Sequence, residues 1–390
     1  MKTDDDGFVN RRDFLRWGFI GATAIAFQQG RVSEAMAAIK EQSFQPVYRT
    51  LGRTGLKISV VSFGAMLTPE PEVIRAGLDQ GINYIDTARV YLKGKSEEVV
   101  AQAIKGRRNK IFLATKARPQ SDTQKEIFRD VEESLTELRT DTIDVIQLHS
   151  LKSKERAFIP EVREALVQLR QQGKVRFFGV TTHTNQAEVI NAVVDDPDKF
   201  FDMVLAGYSF KSPPELKQAI ARAAKANVGI VAMKTQAGGY KTEALGSVSP
   251  HQAALKWVLQ DTNVTAAIPG MRDMAELKED IAVMGMKLTR SDERILEKYA
   301  RAIEDRYCQL CGDCEGTCPE RVCISVINRS LMYAEAYGAM ELAASTYREI
   351  PSGKNLKACL DCSGCVARCS KGLVVGQKIA RAKEVFAGHV

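Results

Sequence analysis

Nine cysteines stand between positions 308 and 369, and no residue before Cys308 is a cysteine. Eight of them form two copies of one pattern. Cys308, Cys311, Cys314 and Cys318 follow C-x2-C-x2-C-x3-C, and Cys359, Cys362, Cys365 and Cys369 repeat it. Short spacings let three thiolates wrap one iron–sulfur cube from a tight loop, while the turn carries the fourth away to the other cluster. The expected chemistry is one-electron transfer by two [4Fe–4S] clusters. One set would be Cys308, Cys311, Cys314 and Cys369; the other would be Cys359, Cys362, Cys365 and Cys318. Structural zinc is the alternative, but it uses C-x2-C pairs split by a spacer, without a third cysteine at the same interval. Disulfides fit less well, because bridges across C-x2-C are strained and one thiol is left over. Cys323 is the ninth cysteine and reads as a buried apolar residue. It could replace Cys318 as a ligand, a choice that Pro319 opposes. The second copy has Ser370 where the first has Pro319.

A second constellation lies upstream: Asp86, Tyr91, Lys116 and His149. A phenol with a pKa of about 10 exchanges protons poorly at neutral pH. A neighbouring ammonium favours the phenolate. An aspartate holds that ammonium, and an imidazole can orient a carbonyl oxygen. Taken singly, Asp86 and Lys116 read as a salt bridge and His149 as a satisfied buried histidine. Brought together, the four make an acid–base site.

What would bring them together is the alternation of the chain. Near-continuous apolar runs occur at 58–64, 82–88, 111–116, 142–150, 175–183, 202–210, 228–235 and 264–270. Such runs are the mark of strands buried on both faces. Between them lie helical patterns such as 125–139 and 160–173, the second ending on Gly173. Eight strand–helix units predict a (β/α)8 barrel over 46–300, whose chemistry belongs at the carboxyl ends of the strands. An open doubly wound sheet is the alternative, but no G-x-G-x-x-G follows the first strand. Asp86, Lys116, His149, Thr181, Thr182, His183 and Lys234 all fall at strand ends, with Tyr91 just beyond one.

The 390 residues are 45% apolar and 26% charged, with a net charge of +7. Basic and acidic residues are interspersed, which excludes a nucleic-acid-binding stripe. Four histidines, His149, His183, His251 and His389, leave little for a histidine-based metal site.

The order "INYIDTARVY…SEEVVAQAI…IFLATK…TIDVIQLH" resembles the aldo-keto reductase family. The opening "YRTLGRTGLKISVVSFG" is similar to that family's amino-terminal hairpin and first strand. The resemblance implies NAD(P)H-dependent carbonyl reduction. Tyr91 would be the general acid, Lys116 would tune it, Asp86 would hold Lys116, and His149 would orient the substrate oxygen. It also implies nucleotide contacts from Thr181, Thr182, Met233, Lys234, Gly270 and Arg272. Here the chain departs from the family. Thr181-Thr182 replaces a Ser-Asn pair, Leu205 a glutamine, and Met233 the tyrosine that stacks on the nicotinamide. Glu276 stands where an arginine would meet the 2′-phosphate. A carboxylate there repels phosphate, so NADP is disfavoured and NAD(P)(H) binding stays open.

At the amino terminus, Arg11-Arg12, Phe14-Leu15, an apolar run of about a dozen residues and Ala35-Met36-Ala37 resemble a twin-arginine export signal over 1–37, followed by a linker at 38–45. The run falls short of the roughly 20 residues of a membrane span. Residues 301–390 resemble an α-helical ferredoxin type. A single helix is expected over 326–350, a turn at 351–355 and a closing helix over 372–386. The combined expectation is an exported, periplasmic iron–sulfur oxidoreductase acting on a small carbonyl or alcohol. Its clusters would exchange electrons with a redox partner, which could be membrane-bound. The other reading is an electron-transfer subunit whose barrel is a docking scaffold.

Overall fold

The computed structural model describes residues 45–118, 123–242, 245–246, 249–360 and 362–389. The residues expected to form an export signal, including Arg11 and Arg12, lie outside the described residues.

Each apolar run yields a strand. A hairpin of β1 (Tyr48–Thr50) and β2 (Lys57–Ser59) comes first. Eight parallel strands follow in chain order: β3 (Phe63–Gly64), β4 (Tyr84–Asp86), β5 (Phe112–Ala117), β6 (Ile143–Leu151), β7 (Val175–Thr182), β8 (Met203–Gly207), β9 (Gly229–Met233) and β10 (Ala266–Ala267). The two sheet edges meet. Ser62 N donates to Ala267 O at 2.8 Å, Ala267 N to Val60 O at 2.8 Å, and Gly64 N to Pro269 O at 3.1 Å. That closure makes a barrel and rules out the open sheet.

The interior is packed. Tyr84, Val145, Met203 and Val231 meet Leu51, Leu56 and Ile58 of the hairpin, all buried. The hairpin thus plugs one end. Gly229 permits the plug, since a Cβ there would lie 2.5 Å from Leu51 Cδ1. Each buried aliphatic side chain contributes about 1.5–3 kcal/mol.

Among the described residues, eight helices wrap the strands: α1 (Pro71–Asp79), α2 (Ser96–Ile104), α3 (Gln124–Leu138), α4 (Pro160–Gln171), α5 (Gln186–Asp195), α6 (Pro214–Lys225), α7 (Pro250–Gln260) and α8 (Met274–Ile281). Several carry the start signals expected of them, such as the Thr123 cap of α3 and Pro160 opening α4. Next comes α9 (Arg290–Ala302), opened by a Thr289–Asp292 capping box. Asp292 also pairs with Lys256 of α7 at 3.1 Å, in a buried site. This fixes α9 to the barrel.

The cysteine-bearing region is helical: α10 (Ile324–Glu335), α11 (Met340–Arg348) and α12 (Val375–Val385). The single helix expected over 326–350 is therefore two helices. Gly338 breaks it, with φ +62, a left-handed conformation that glycine adopts without strain. The chain then folds back, and α11 packs on α10. This region has its own core of Val322, Ile327, Leu331, Tyr347, Leu356, Ile379 and Phe386, with the Tyr347 and Phe386 rings stacked at 4.9 Å. The core is continuous with Ala237 and Tyr240 from the loop after β9, and with Tyr299 of α9. Tyr299 Oη donates to Tyr240 O at 3.2 Å. The helical region therefore rests on the barrel rim where the strands end.

Candidate active site and cluster ligands

Three adjacent strands deliver three of the four acid–base residues. Asp86 ends β4, Lys116 lies in β5, and His149 lies in β6. Tyr91 opens a 3-10 turn (Tyr91–Gly94) just beyond β4, in which Leu92 and Lys93 take φ +51 and +59. Two adjacent non-glycine residues in that region are costly, and such strain concentrates at functional sites.

Asp86, Lys116 and His149 are buried. Lys116 Nζ donates to the Asp86 carboxylate and, at 2.7 Å, to Thr87 O. It sits 4.8 Å from the centre of the Tyr91 ring. The Tyr91 and His149 rings meet edge to face at 6.1 Å. The second Asp86 oxygen accepts from Gln147 Nε2 at 2.7 Å. Gln147 is a site residue that the sequence reading passed over. Its signal was a lone amide two positions before His149.

The electrostatics divide the roles. Burial lowers the Lys116 pKa, but Asp86 and Tyr91 outweigh it and the net shift is upward, so the ammonium persists. Burial raises the Tyr91 pKa, against the lowering effect of Lys116, so the phenol keeps its proton at neutral pH. Burial, then Lys116, Arg118, Arg329 and Arg156, push His149 well below the usual imidazole range. A neutral imidazole, a fixed cation and a protonated phenol can donate to a carbonyl oxygen.

Tyr91 and His149 line a cavity of about 360 Å³. Its barrel side also includes Leu205, Met233, Lys234, Gly270 and Arg272. Its far side is Arg329 and Tyr333 of α10, with Tyr337, Leu342 and Glu349 from the following hairpin. The helical region thus completes the site. Arg329 and Tyr333 fall within the helix expected over 326–350; the fold, not the helical period, turns them toward the cavity.

The expected nucleotide contacts divide. Met233, Lys234, Gly270 and Arg272 reach the cavity; Thr181 and Thr182 are not among its lining residues. Thr181 Oγ1 accepts from Ser150 N at 2.6 Å, and Thr182 Oγ1 donates to Thr184 O at 2.8 Å. Both hydroxyls hold the rim together. Arg272 donates through Nε to Glu276 Oε1 at 2.9 Å and through Nη1 to Tyr337 O at 3.0 Å. Lys234 Nζ donates to Tyr333 Oη at 2.9 Å.

The cysteines gather as two sets. Cys308, Cys311, Cys314 and Cys369 line one cavity of about 60 Å³. Burial raises the Cys308 thiol to about 11 and the Cys314 thiol to about 12, and in both Cys369 adds to the effect. Burial also raises Cys359, and there Cys362, Cys318 and Cys365 add to it. In the first set the fourth cysteine comes from the other motif. Four soft thiols around a cavity fit a cluster, whose iron would hold them as thiolates. Leu310 N donates to Cys308 Sγ and Lys371 N to Cys369 Sγ, both at 3.4 Å. Cys323 belongs to neither set; after burial, its shift comes from Glu315, Lys152 and Lys354. Among the described residues, no three His, Cys, Asp or Glu side chains converge on a single-ion point.

The first set lies toward the main cavity. His183 and Lys234 line both that cavity and a smaller one shared with Tyr307, Gln309 and Leu310, which flank Cys308. Cys362 and Cys365 of the second set are exposed, beside the exposed apolar residues Leu360, Val366 and Val374.

Comparison with known proteins agrees with this layout. The aldo/keto reductase family model matches residues 70–246, and a 4Fe-4S dicluster domain model matches 307–374. An uncharacterized oxidoreductase, YqkF, of Bacillus subtilis is 40% identical over 34% of this chain and 48% of its own length; the match spans about half of that relative. Methylglyoxal reductase YeaE of Escherichia coli is 28% identical over 59% of this chain and 84% of its own. Among solved structures, an aldo/keto reductase from Klebsiella pneumoniae in complex with NADP and acetate superposes with a TM-score of 0.55 at 25% identity, covering 66% of this chain and 95% of that one. The chain therefore pairs a (β/α)8 barrel that matches the aldo/keto reductase family model over 70–246 with a region that matches a 4Fe-4S dicluster domain model over 307–374.

Proposed function

We propose that the protein is an exported iron–sulfur oxidoreductase that interconverts a carbonyl and an alcohol. Tyr91 is the general acid in reduction and the base in oxidation. Lys116 and Asp86 set its charge environment, and His149 positions the substrate oxygen. The observation that carries this reading is the shared cavity, with Tyr91 on one wall and the helices of the dicluster domain on the other. Reduction of a carbonyl to an alcohol consumes two electrons and two protons: Tyr91 gives the oxygen its proton, water gives the carbon its proton, and the two clusters, when bound, would supply one electron each. The exposed second set, with its apolar surround, is where a redox partner would approach. The test is whether a carbonyl compound reoxidises the reduced holoprotein.

A solved relative binds NADP, and nicotinamide binding here is a separate question. Arg272 is already paired with Glu276 and the Tyr337 carbonyl, which disfavours a 2′-phosphate. Leu205 offers no polar contact to a carboxamide. These features favour an electron source other than NADP. They also give the second reading, a scaffold barrel in an electron-transfer subunit, its support.

The export proposal rests on the twin-arginine resemblance of residues 1–37. No helix among the described residues is long and apolar enough to cross a membrane. Cell fractionation tests the location, and recovery in the cytoplasm with residues 1–37 still attached contradicts it.

The pH dependence follows from the Tyr91 shift. Its pKa is raised, so the proton-donating form persists beyond neutral pH. Carbonyl reduction is expected to stay flat from about pH 6 to 9, while alcohol oxidation, which needs the phenolate, rises with pH across that range. Steady-state rates in both directions check this. A reduction rate that falls tenfold between pH 7 and 8 would contradict it.

A further inference from the structure

Arg329 belongs to the dicluster domain, yet it is a wall of the barrel's cavity. It is only 6% exposed. Its Nη2 lies 3.3 Å from Glu349 Oε2, and its Nη1 makes a long contact of 3.4 Å with Ser150 Oγ. Its Nε has no hydrogen-bond partner. A buried donor on a charged group left unpaired is costly, more so than a neutral one. Such a group stays in a fold when something else completes it.

The surroundings say what that is. Arg118 Nη1 also bonds Glu349, at 2.7 Å, so two guanidinium groups share one carboxylate. Lys234 lies beside them with a phenol, Tyr333, as its hydrogen-bond partner; burial lowers its pKa, against the raising effect of Tyr333. Asp86 does not offset these charges, because it is taken up by Lys116. His149, between them, is held neutral. This part of the cavity therefore has surplus positive charge and an open donor. Elsewhere the cavity is lined by Glu276, Glu279 and Asp280, which disfavour a highly charged anion there.

We propose that Arg329 binds a carboxylate on the substrate, so that the carbonyl compound reduced at Tyr91 is an oxo acid. This rests on the reading of Tyr91 as the reacting acid. A planar guanidinium matches a carboxylate through two parallel N–H···O bonds, and one monoanion satisfies the open Nε while lowering the surplus charge. The anchor also ties function to architecture, because the substrate cannot be held without the dicluster domain folded onto the barrel.

The experiment is calorimetric titration of anaerobically purified, cluster-loaded full-length protein. The probes are pyruvate and succinic semialdehyde, which differ in the distance from carbonyl to carboxylate. Each is compared with its methyl ester, and dihydroxyacetone phosphate is the phosphate counterpart. At least one acid should bind ten-fold or more tightly than its ester. Arg329→Gln should erase that preference, and Arg329→Lys should retain part of it. Tyr91→Phe should leave it intact, which separates this proposal from the assignment of Tyr91. The acid–ester comparison in the unsubstituted protein needs no variant to fold. No acid exceeding its ester, an acid preference that survives Arg329→Gln, or the phosphate binding tighter than both acids would each overturn the proposal.

Discussion

Tyr91→Phe lowers carbonyl–alcohol turnover by about 10²–10⁴-fold, the range in which a positioned general acid contributes. The substitution removes one hydroxyl and keeps the ring that packs edge to face on His149. The Lys116–Asp86 pair stays closed, because Asp86, Thr87 O and Gln147 hold it independently of the phenol. The loss should therefore appear in kcat, with little change in substrate affinity. The visible absorbance of the clusters should be unchanged, since no cysteine lies in the barrel before α9. Turnover within threefold of the unsubstituted protein removes Tyr91 from the mechanism and leaves the scaffold reading.

Cys369→Ser removes a cluster, but not the one its own motif would suggest. Cys369 lines the cavity with Cys308, Cys311 and Cys314, whereas Cys318 acts on Cys359. The variant should lose about four of about eight iron atoms, with the loss falling on the set organised by the first motif. Iron analysis and EPR of the reduced variant read this. Cys323→Ser is the control and should keep the full iron content. Loss confined to the cluster of Cys359, Cys362 and Cys365 would refute the crossed arrangement.

Much of this architecture was legible in the chain because the signals were local. Strands buried on both faces must be apolar throughout, so all eight could be located, although the last, β10, spans only two residues. Asp86, Lys116 and His149 were legible because a barrel sends its strand ends to one rim. What was not legible depends on contacts between distant segments. The break at Gly338 is hidden in a sequence with helical periodicity on both sides. Thr181 and Thr182 sit at a strand end, yet their hydroxyls are turned to backbone at Ser150 and Thr184. Arg329 and Tyr333 lie more than 200 residues from Tyr91, and only the docking of α10 on the rim makes them part of its cavity.

The central claim is that the cavity and the clusters serve one reaction. It is tested most directly by reducing the anaerobic holoprotein, removing the excess reductant, adding a carbonyl acid and following the visible absorbance of the clusters. The oxidised spectrum should return as the alcohol forms, one alcohol for each pair of electrons, and both should be slowed by about 10²–10⁴-fold in Tyr91→Phe. Clusters that stay reduced in the unsubstituted protein, with every carbonyl acid offered, would contradict it.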